Sequence, residues 1–562
     1  MASRTRSSQF RLSAIAAAVV SASLAVPSFA APFTSSNRDV LTSNTGVWNP
    51  AGVLIGGTRF VVKGLEGVGR VSAASTQSFG PLTETLGSIS DLQISNWRRT
   101  AAGDGYTGTF NALPDRGFNS GATFSNYAAR INTFDFSFTP YTAAAPTANQ
   151  NQIALTYTGS TRFTYDHDGN AATAPVLTTG LLANSAAVSL FGKPVPTVVA
   201  NTTVGSDGPL ANRLTLDSEG LILDPRPGKE GEGWVGDEYG AFIYHFDANK
   251  QIDGMVSIPD ALIPHRPAGT TYFTDSPANV DGRRVNQGME GITITPDGKH
   301  LIAMLQSATL QDSGSGNQGR TNTRVLVYDI AGGVEVPTDP VAQYVLQLPR
   351  IDGDLNGSVD RAGAQSAILA LNSHQILILS RDGNGRGAGT PSPVFKSVLL
   401  ADFDTATNID GLYDAAGNKV VSSGDTLLGS ITPVVWTEAL NILGKLDLGI
   451  TELEQFGLNL AANNGDINTL SEKWEGMDLV SALDPLHPND YFLFLGNDND
   501  FQTSTGTLTR ADGTSLNYDA GLENDTMLLA FRVSVVPEPG ALALLTLASL
   551  AMVGLQRRRR RS

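Results

Sequence analysis

Short apolar runs separated by turn residues recur along the chain and predict β-strands. Three of them contain a Glu-Gly pair: SEGLIL at Ser218–Leu223, MEGITIT at Met289–Thr295 and WEGMDL at Trp474–Leu479. Each is followed by a turn and a second apolar run that ends in polar residues. These second runs are WVGDEYG at Trp234–Gly240, LIAMLQS at Leu301–Ser307 and YFLFLGNDND at Tyr491–Asp500. Repeated hairpins that deliver carboxylates to one end indicate a β-propeller or a related repeat architecture with an acidic face.

Two weaker copies extend this pattern. ISDLQI at Ile89–Ile94 precedes ALPDRGFN at Ala112–Asn119, and SAILAL at Ser366–Leu371 precedes ILILSRDGNGRG at Ile376–Gly387. The two shortest distances between copies are 71 and 76 residues, which is longer than an ordinary blade of roughly 40–50 residues. We therefore predict an all-β propeller of about six elaborated blades with long loops.

Two segments are interpreted as insertions into one domain that spans residues 31–535. The stretch near 141–200 is rich in Thr, Ala and Asn. The stretch near 400–470 has the best helical periodicity, at Thr432–Leu448 and Leu453–Asn464. Asn524–Val535 is predicted to be a final strand that closes the fold by pairing with Gly52–Gly64.

The N-terminus has the features of a secretory signal peptide over residues 1–30. Arg4, Arg6 and Arg11 form a positive region before an apolar run at 12–26, and Ser28-Phe29-Ala30 is a small-x-small cleavage site. We predict export through the Sec machinery and cleavage after Ala30. An ordinary core helix is the alternative.

The C-terminus, residues 536–562, resembles the PEP-CTERM sorting signal of Gram-negative bacteria that make exopolysaccharide. Val536-Pro537-Glu538-Pro539-Gly540 precedes an apolar run at Ala541–Leu555 and then Arg557–Arg561. The resemblance implies cleavage by an exosortase and a location in the cell envelope, on the outer surface or in the extracellular matrix. A run of 15 residues is shorter than the roughly 20 of a spanning helix, which favours a transient anchor. A permanent single-pass anchor is the alternative.

The charge of the chain limits its partners. Without the eight arginines of the two ends, 30 of the 38 Lys and Arg residues remain against 54 Asp and Glu, a formal charge of −24. Such a surface repels nucleic acid and anionic membrane and favours cations. The chain has no cysteine, so disulfides, a thiol nucleophile and cysteine-bound metals are excluded.

The hairpins predict a cluster of carboxylates. Glu219, Glu290 and Glu475 begin first strands, and six further residues end second strands: Asp115, Asp237, Glu238, Asp382, Asp498 and Asp500. These ends are neighbours in an antiparallel hairpin, and clustered carboxylates repel one another unless they are protonated or bridged by a cation. Ca²⁺ with oxygen ligands is therefore expected. Alternatively, these residues mark turns or accept backbone hydrogen bonds between blades. Because strand residues alternate, Asp237 and Glu238 are not expected to reach the site together.

A second candidate calcium site lies in the loop 352–360. Asp352, Asp354, Asn356 and Asp360 take positions 1, 3, 5 and 9 of an EF-hand-type loop, with Gly at position 6. The twelfth position is glycine rather than glutamate, so a plain turn is the alternative.

Three cations accompany the carboxylates: Arg116, Arg381 and Lys473. A guanidinium can bind phosphate through two hydrogen bonds, or these residues form ion pairs between blades. No G-x-S-x-G motif occurs, and the six histidines have no zinc-ligand spacing.

Several of these segments resemble the phytase-like family, also described as "esterase-like activity of phytase". They are LPDRG at Leu113–Gly117, LDSEGLILDP at Leu216–Pro225, GDEYGAFIYHFD at Gly236–Asp247, residues Asn286–Ala308, KWEGMDLV at Lys473–Val480 and LFLGNDNDF at Leu493–Phe501. The resemblance spans Ser88–Val535 and implies a β-propeller whose Asp and Glu residues carry phosphoester hydrolysis. Ser380 departs from it, because a Glu is expected there.

We therefore predict an exported calcium-dependent phosphoester hydrolase. The predicted catalytic residues are Asp237, Glu290, Arg116 and Arg381. The predicted metal ligands are Glu219, Asp237, Glu290, Glu475, Asp498, Asp352, Asp354 and Asn356. The alternatives are a non-catalytic envelope protein with structural Ca²⁺ that binds polysaccharide or a partner, and a lactonase-like propeller hydrolase.

Overall fold

The computed structural model describes residues 31–118, 125–170, 172–198, 213–273, 279–388, 392–447, 449–461, 463–510 and 513–538. The protein is nearly all β, with 45% of its residues in strands and 2% in helices. No helix in these ranges has the length and hydropathy needed to cross a membrane. The predicted signal peptide, and the sorting segment beyond Glu538, lie outside the described residues.

Twenty strands form five antiparallel groups of four, which we call the first to the fifth sheet. The first sheet contains Asp91–Arg99, Tyr106–Leu113, Arg130–Phe138 and Ile153–Arg162. The second contains Ser218–Leu223, Gly233–Asp237, Phe242–Phe246 and Gln251–Met255. The third contains Met289–Ile294, His300–Leu305, Asn322–Asp329 and Ala342–Gln347. The fourth contains Ala364–Ala370, Gln375–Arg381, Lys396–Asp402 and Val435–Asn441. The fifth contains Lys473–Ser481, Asp490–Asp498, Thr526–Pro537 and Thr58–Val71.

The remaining elements are short. The other strands are Asp39–Val40, Val53–Ile55, Thr76–Phe79, Leu82–Thr85, Thr164–Tyr165, Val176–Leu177, Ser189–Leu190, Lys193–Pro194, Thr197–Val198, Arg213–Leu214, Arg350–Ile351, Arg361–Ala362, Val421–Ser423, Thr426–Leu427, Gly506–Thr509 and Ser515–Tyr518. The described helices are the α-helix Glu452–Gln455 and the 3-10 turns Asp260–Leu262 and Ala331–Gly333.

The fifth sheet joins the two ends of the domain. Its third strand, Thr526–Pro537, pairs antiparallel with Thr58–Val71, in a register that places Val62 opposite Val533. The predicted pairing of the final strand with the segment that includes residues 58–64 is therefore confirmed. The N-terminal strand also makes one parallel bridge to the first sheet, between Gly69 and Ile153.

The first strands of the five sheets contact one another in chain order, and that of the fifth sheet also contacts that of the first. Side chains link several of these neighbours. Asp478 Oδ2 accepts a hydrogen bond from the Ile94 N–H at 2.6 Å. Asp91 Oδ2 accepts one from the Leu221 N–H at 2.7 Å. The described first strands therefore form a cyclic set of contacts.

The core lies between consecutive sheets, and this explains the continuous apolar runs. In His300–Leu305, one face packs with the second sheet through Leu301 and Ala303. The other face packs with the fourth sheet through Ile302 and Met304. Successive strand residues point to opposite faces. Because both faces are buried, every position from Leu301 to Leu305 is apolar and the sequence shows no alternation.

The helices predicted near 400–470 are wrong. The first of them contains the strand Val435–Asn441, which pairs with Lys396–Asp402. Its β-branched and aromatic residues favour a strand, and pairing in the sheet outweighs the helical periodicity. The second is reduced to the single turn Glu452–Gln455, which has a Thr451 capping box and is followed by Gly457 at φ 73°.

The segment near 141–200, interpreted as an insertion, contains Ile153–Arg162, the outer strand of the first sheet. Short strands follow it, and Thr164–Tyr165 pairs with the outer strand of the second sheet. This segment therefore contributes to the repeating framework as well as to its loops.

Candidate functional site

A β-bulge lies at the same place in the first strand of four sheets. In the third sheet the register shifts across Glu290, which has no residue opposite to it. The shift falls at Glu475 in the fifth sheet, at Ser366 in the fourth, and within Glu219 and Gly220 in the second. A bulge changes the direction of a side chain and ends regular pairing. The repeated glutamates are thereby placed at one end of the cyclic set of first strands.

The glycine that follows each glutamate has a separate role. A Cβ on Gly220 would lie 2.7 Å from the Glu290 carbonyl oxygen, and a Cβ on Gly476 would lie 2.4 Å from a methyl group of Ile89. Each glycine therefore allows the first strand of the next sheet to approach closely. The Glu-Gly motif combines a bulged carboxylate with a close contact between sheets.

The bulges and the ends of the second strands bring carboxylates together into what we call the acidic cluster. Its members are Asp115, Asp217, Glu219, Glu238, Glu290, Glu475, Asp498 and Asp500. Asp217, Glu219 and Glu238 each offer an oxygen within 4.8 Å of the others, and so do Asp115, Asp498 and Asp500. All except Asp500 are buried.

Three cations form ion pairs with this cluster. Arg116 Nη1 lies 2.6 Å from Asp217 Oδ2, and Arg381 hydrogen-bonds the Glu475 carboxylate. These two pairs join neighbouring sheets, as the ion-pair alternative predicted. Lys473 Nζ lies 3.1 Å from an Asp498 oxygen and 2.5 Å from an Asp500 oxygen.

The cluster keeps an excess of carboxylates over cations, and the pKa values reflect this. Burial, and then repulsion from Asp217, raises the pKa of Glu238 to about 8. Burial, with further repulsion from Glu290 and Glu238, raises the pKa of Glu219 well above its usual value. The pKa of Glu290 is also well raised, by burial and by repulsion from Glu238 and Glu475.

Asp498 is the exception among these groups. Burial opposes its ionisation, but the adjacent Lys473 ammonium and a hydrogen bond from Ser88 outweigh burial and lower its pKa. In the group of Asp115, Asp498 and Asp500, the Lys473 ammonium contacts two of the three carboxylates. In the group of Asp217, Glu219 and Glu238, the Arg116 guanidinium hydrogen-bonds Asp217.

Two buried oxygens of the cluster lack a hydrogen-bond partner in the described parts of the chain. They are Asp217 Oδ1 and Glu290 Oε2. The other oxygen of Glu290 accepts a hydrogen bond from Gln306 Nε2 at 2.7 Å. An unpaired buried carboxylate oxygen is costly, and a bound cation is one way to satisfy it.

Asp237 is placed differently from its prediction as a ligand and catalytic residue. Its carboxylate accepts backbone N–H groups of Gly240 at 2.8 Å and of Asp217 and Tyr239 at 3.2 Å. These bonds hold the turn after the second strand. Glu238, the next residue, is the one that belongs to the acidic cluster. Asp237 and Glu238 therefore do not both reach the cluster, as expected from the alternation of strand residues.

The loop 352–360 is not part of the acidic cluster. Both oxygens of Asp352 accept backbone N–H groups, from Asn356 at 3.0 Å and Gly357 at 2.6 Å. Asp354 accepts hydrogen bonds from the backbone and side chain of Asn356. The oxygens proposed as calcium ligands are thus engaged in turn hydrogen bonds. Asp382 is likewise satisfied, by backbone N–H groups and by Lys396 Nζ at 2.9 Å.

A family model described as "Phytase-like: Esterase-like activity of phytase" matches residues 87–501. The chain belongs to the phytase-like family. A protein of Arthroderma benhamiae named "Uncharacterized secreted protein" is 30% identical over 484 residues, which cover 80% of this chain and 89% of that protein. The family match includes every member of the acidic cluster.

Two solved structures are similar to parts of the phytase-like chain. The hydrazine synthase of Kuenenia stuttgartiensis has a TM-score of 0.19 and 13% identity over 52% of this chain and 66% of that one. Hsv2 of Kluyveromyces lactis has a TM-score of 0.19 and 11% identity over 56% of this chain and 95% of that one.

Sequence reasoning missed Asp217 as a member of the cluster. It directly precedes the second sheet and has no equivalent in the other Glu-Gly copies, so the repeat gave no signal for it. The signal that could have found it is its place beside Ser218-Glu219-Gly220 in the family-like segment Leu216–Pro225.

Proposed function

We propose that this phytase-like protein is an exported, calcium-dependent phosphoester hydrolase whose active site is the acidic cluster. The observation that carries the proposal is the group Asp217, Glu219 and Glu238. These three buried carboxylates converge within 4.8 Å, and an oxygen of Asp217 has no partner among the described residues. Such a group is stable only if it is protonated or if it holds a cation.

The donor chemistry of this group fits calcium. Its ligand atoms are carboxylate oxygens, and Ca²⁺ takes six to eight oxygen ligands in flexible geometry. Glu290, with its free Oε2, is a further ligand for the same ion. Glu475 and Asp498, also predicted as ligands, pair with Arg381 and Lys473. Asp217 pairs with Arg116 through Oδ2 but keeps Oδ1 without a partner among the described residues, which favours the Asp217 side of the cluster for the metal.

A bound Ca²⁺ would neutralise phosphate charge and lower the pKa of a coordinated water. Within the chain, Arg116 and Arg381 hold Asp217 and Glu475 in place through their ion pairs. The hydrogen bond from Gln306 to Oε1 of Glu290 orients that carboxylate, so that its Oε2 is available to the ion. Burial of these groups excludes water and strengthens their electrostatic effect on a reacting phosphate.

Two other arginines are suited to the anionic part of a substrate. Arg284 and Arg320 have no carboxylate partner in the described ranges, and burial lowers the pKa of both. Arg284 Nε donates to Ser313 Oγ at 3.2 Å. Both lie on loops that flank the Glu290 hairpin, next to its two strands at the end where the cluster lies.

We further propose that the five sheets are the blades of a propeller. The cyclic contacts of the first strands, and the fifth sheet built from both ends of the domain, support this arrangement. Five described sheets favour five blades over the six expected from sequence spacing.

Export is supported by the signal-peptide features of residues 1–30 and by the word "secreted" in the name of the Arthroderma benhamiae relative. The PEP-CTERM-like tail at 536–562 supports exosortase as a processing partner and the envelope or extracellular matrix of a Gram-negative bacterium as the destination.

A non-catalytic envelope protein that binds polysaccharide and holds structural Ca²⁺ is the second candidate. The pairs Arg116–Asp217 and Arg381–Glu475 favour it, because they tie neighbouring sheets together and leave fewer free groups for chemistry. A lactonase-like hydrolase would use the same cluster on a carbonyl group.

Substrate assays on the exported protein separate these functions. Phosphate release from p-nitrophenyl phosphate and inositol phosphates, measured with Ca²⁺ and with excess chelator, tests the proposal. Chelator-sensitive phosphate release supports the phosphoester hydrolase. Hydrolysis restricted to lactones or carboxyl esters supports the lactonase-like enzyme. Absence of all hydrolysis, together with saturable polysaccharide binding, supports the binding protein.

A further inference from the structure

A second group of ionisable side chains lies on the second sheet, away from the acidic cluster. Its members are His245 in the third strand, Glu232 before the second strand, and Glu335 after the 3-10 turn of the third sheet. One atom from each lies within 4.8 Å of the others. Glu232 and Glu238 flank the same five-residue strand. At about 3.3 Å per residue they are roughly 20 Å apart, so the two sites are separate.

His245 is oriented as a ligand. Its side chain is 1% exposed, and Nδ1 lies 2.6 Å from Asp253 Oδ1. In the neutral imidazole, donation from Nδ1 to this carboxylate leaves a lone pair on Nε2. Nε2 is buried, has no hydrogen-bond partner in the described chain, and lies 4.0 Å from Glu232 Oε2. A carboxylate behind a histidine is the usual support of a metal-binding imidazole.

Lys229 currently supplies the positive charge between the two glutamates. Its Nζ lies 3.1 Å from Glu232 Oε2 and contacts Glu335. The indole N–H of Trp234 donates to the backbone carbonyl of Glu335 at 2.7 Å, which fixes this segment against the second sheet. The side chain of Glu335 is 34% exposed, so an ion can reach the group from solvent.

We propose that His245, Glu232 and Glu335 form a binding site for one zinc-class divalent ion, with Asp253 supporting His245 and Lys229 moving out when the ion binds. One imidazole nitrogen with two carboxylates suits zinc, whereas calcium prefers oxygen ligands alone. The ion would join the second sheet to the third, because Glu335 belongs to a loop of the third sheet. A site with one histidine has no sequence spacing to reveal it.

Zinc titration of the exported chain by calorimetry tests the proposal, with excess Ca²⁺ present to occupy the acidic cluster. The wild-type protein should bind one Zn²⁺ more per chain than His245→Gln. His487→Gln is the matched control, because His487 also pairs with an aspartate, with Nδ1 3.0 Å from Asp484, but is 56% exposed and lies outside the group. Equal zinc stoichiometry and affinity in wild type and His245→Gln would overturn the site.

Two further variants decide the matter even if His245→Gln does not fold. Lys229→Met should tighten zinc binding, because it removes the competing ammonium from between Glu232 and Glu335. Asp253→Asn should weaken it by about 10–100-fold, as expected when a supporting carboxylate is lost. Zinc affinity that is unchanged in both variants would show that the metal binds elsewhere and would refute the proposal.

Discussion

Arg381 and Glu475 form a buried ion pair between the fourth and fifth sheets, within the acidic cluster. Glu475 occupies the bulge of the fifth sheet, and Ser366 occupies the same bulge in the fourth. The fourth sheet thus has no carboxylate at its bulge, and it contributes the Arg381 guanidinium to the cluster from the end of its second strand. The second, third and fifth sheets contribute carboxylates. This asymmetry leaves the excess negative charge on the side of the second and third sheets, where Glu219, Glu238 and Glu290 lie.

Glu290→Gln tests the catalytic role. The amide keeps the size of the side chain and can still accept the hydrogen bond from Gln306, but it removes a charge and a metal ligand. We expect phosphoesterase activity to fall by about 10²-fold or more, the scale for losing one preorganised group. Initial rates with p-nitrophenyl phosphate measure this.

Glu438→Gln is the matched control for that variant. Glu438 is also buried but accepts hydrogen bonds from Ser397 and Asn44, outside the cluster. Its variant should keep wild-type turnover. Unchanged turnover in Glu290→Gln, with a loss of stability alone, would favour the structural role of the cluster.

Calcium should stabilise the folded protein. An ion that binds only the folded state raises the free energy of unfolding by about 2.7 kcal/mol at 100 times its Kd. Thermal unfolding after complete metal removal, and again after addition of Ca²⁺, measures the effect. The same melting temperature in both conditions would contradict a tight site. Asp217→Asn, which leaves the Arg116 side chain in place, should abolish the calcium-induced shift in melting temperature.

The sequence predicted well which carboxylates lie close together. It predicted less well which hydrogen bonds and ion pairs each of them makes. Glu219, Glu290 and Glu475 stand out because a repeat places them at one structural position. The choice between Asp237 and Glu238 depends on the turn at Gly240, whose N–H groups take up Asp237. Ion pairs between sheets could not be assigned either, because sequence spacing does not give the distance between side chains of neighbouring sheets.

The architecture was predictable where the strands are hairpins and unpredictable where they are outer strands. First and second strands carry the motif, but the outer strands Ile153–Arg162 and Val435–Asn441 follow long loops and lack it. They were therefore interpreted as parts of insertions. The number of blades stays a prediction for the same reason, because connections of unequal length make the spacing between copies irregular.

Gly220→Ala tests the contact that the Glu-Gly motif permits. The added methyl would lie 2.7 Å from the Glu290 carbonyl oxygen, a backbone atom that cannot rotate away. We expect a loss of about 1–3 kcal/mol in the free energy of unfolding, as for overpacking elsewhere. Gly429→Ala, where no atom lies within 4 Å, is the control for chemical denaturation. Equal stability of the two variants would contradict the predicted contact.

Processing at both ends gives a mass that can be measured. The mature protein should begin at Ala31 and should lack Arg557–Arg561. Intact-mass spectrometry of protein from the native envelope checks this. A mass that retains the basic tail would refute exosortase cleavage and support a permanent anchor.

The metal-free protein should lose stability as pH rises, and the sign follows from the raised pKa values. Burial raises the pKa of Glu238 from 4.5 to about 8 and that of Glu472 from 4.5 to about 7. Between pH 4.5 and 8 the folded state therefore binds more protons than the unfolded state. The free energy of unfolding must then fall with rising pH.

Stability from these groups is fully present below their unfolded pKa and is lost as pH rises through their folded pKa. Asp498, whose pKa is lowered, acts in the opposite sense and only in acid. Denaturant unfolding in chelator at pH 5.5, 7 and 8.5 measures the trend, and Glu238→Gln should flatten it. Saturating Ca²⁺ should also flatten it, because the ion replaces the protons that hold the carboxylates together. Stability that rises over this range in chelator would show that the acidic cluster is compensated by the protein itself and would remove the physical need for a metal there.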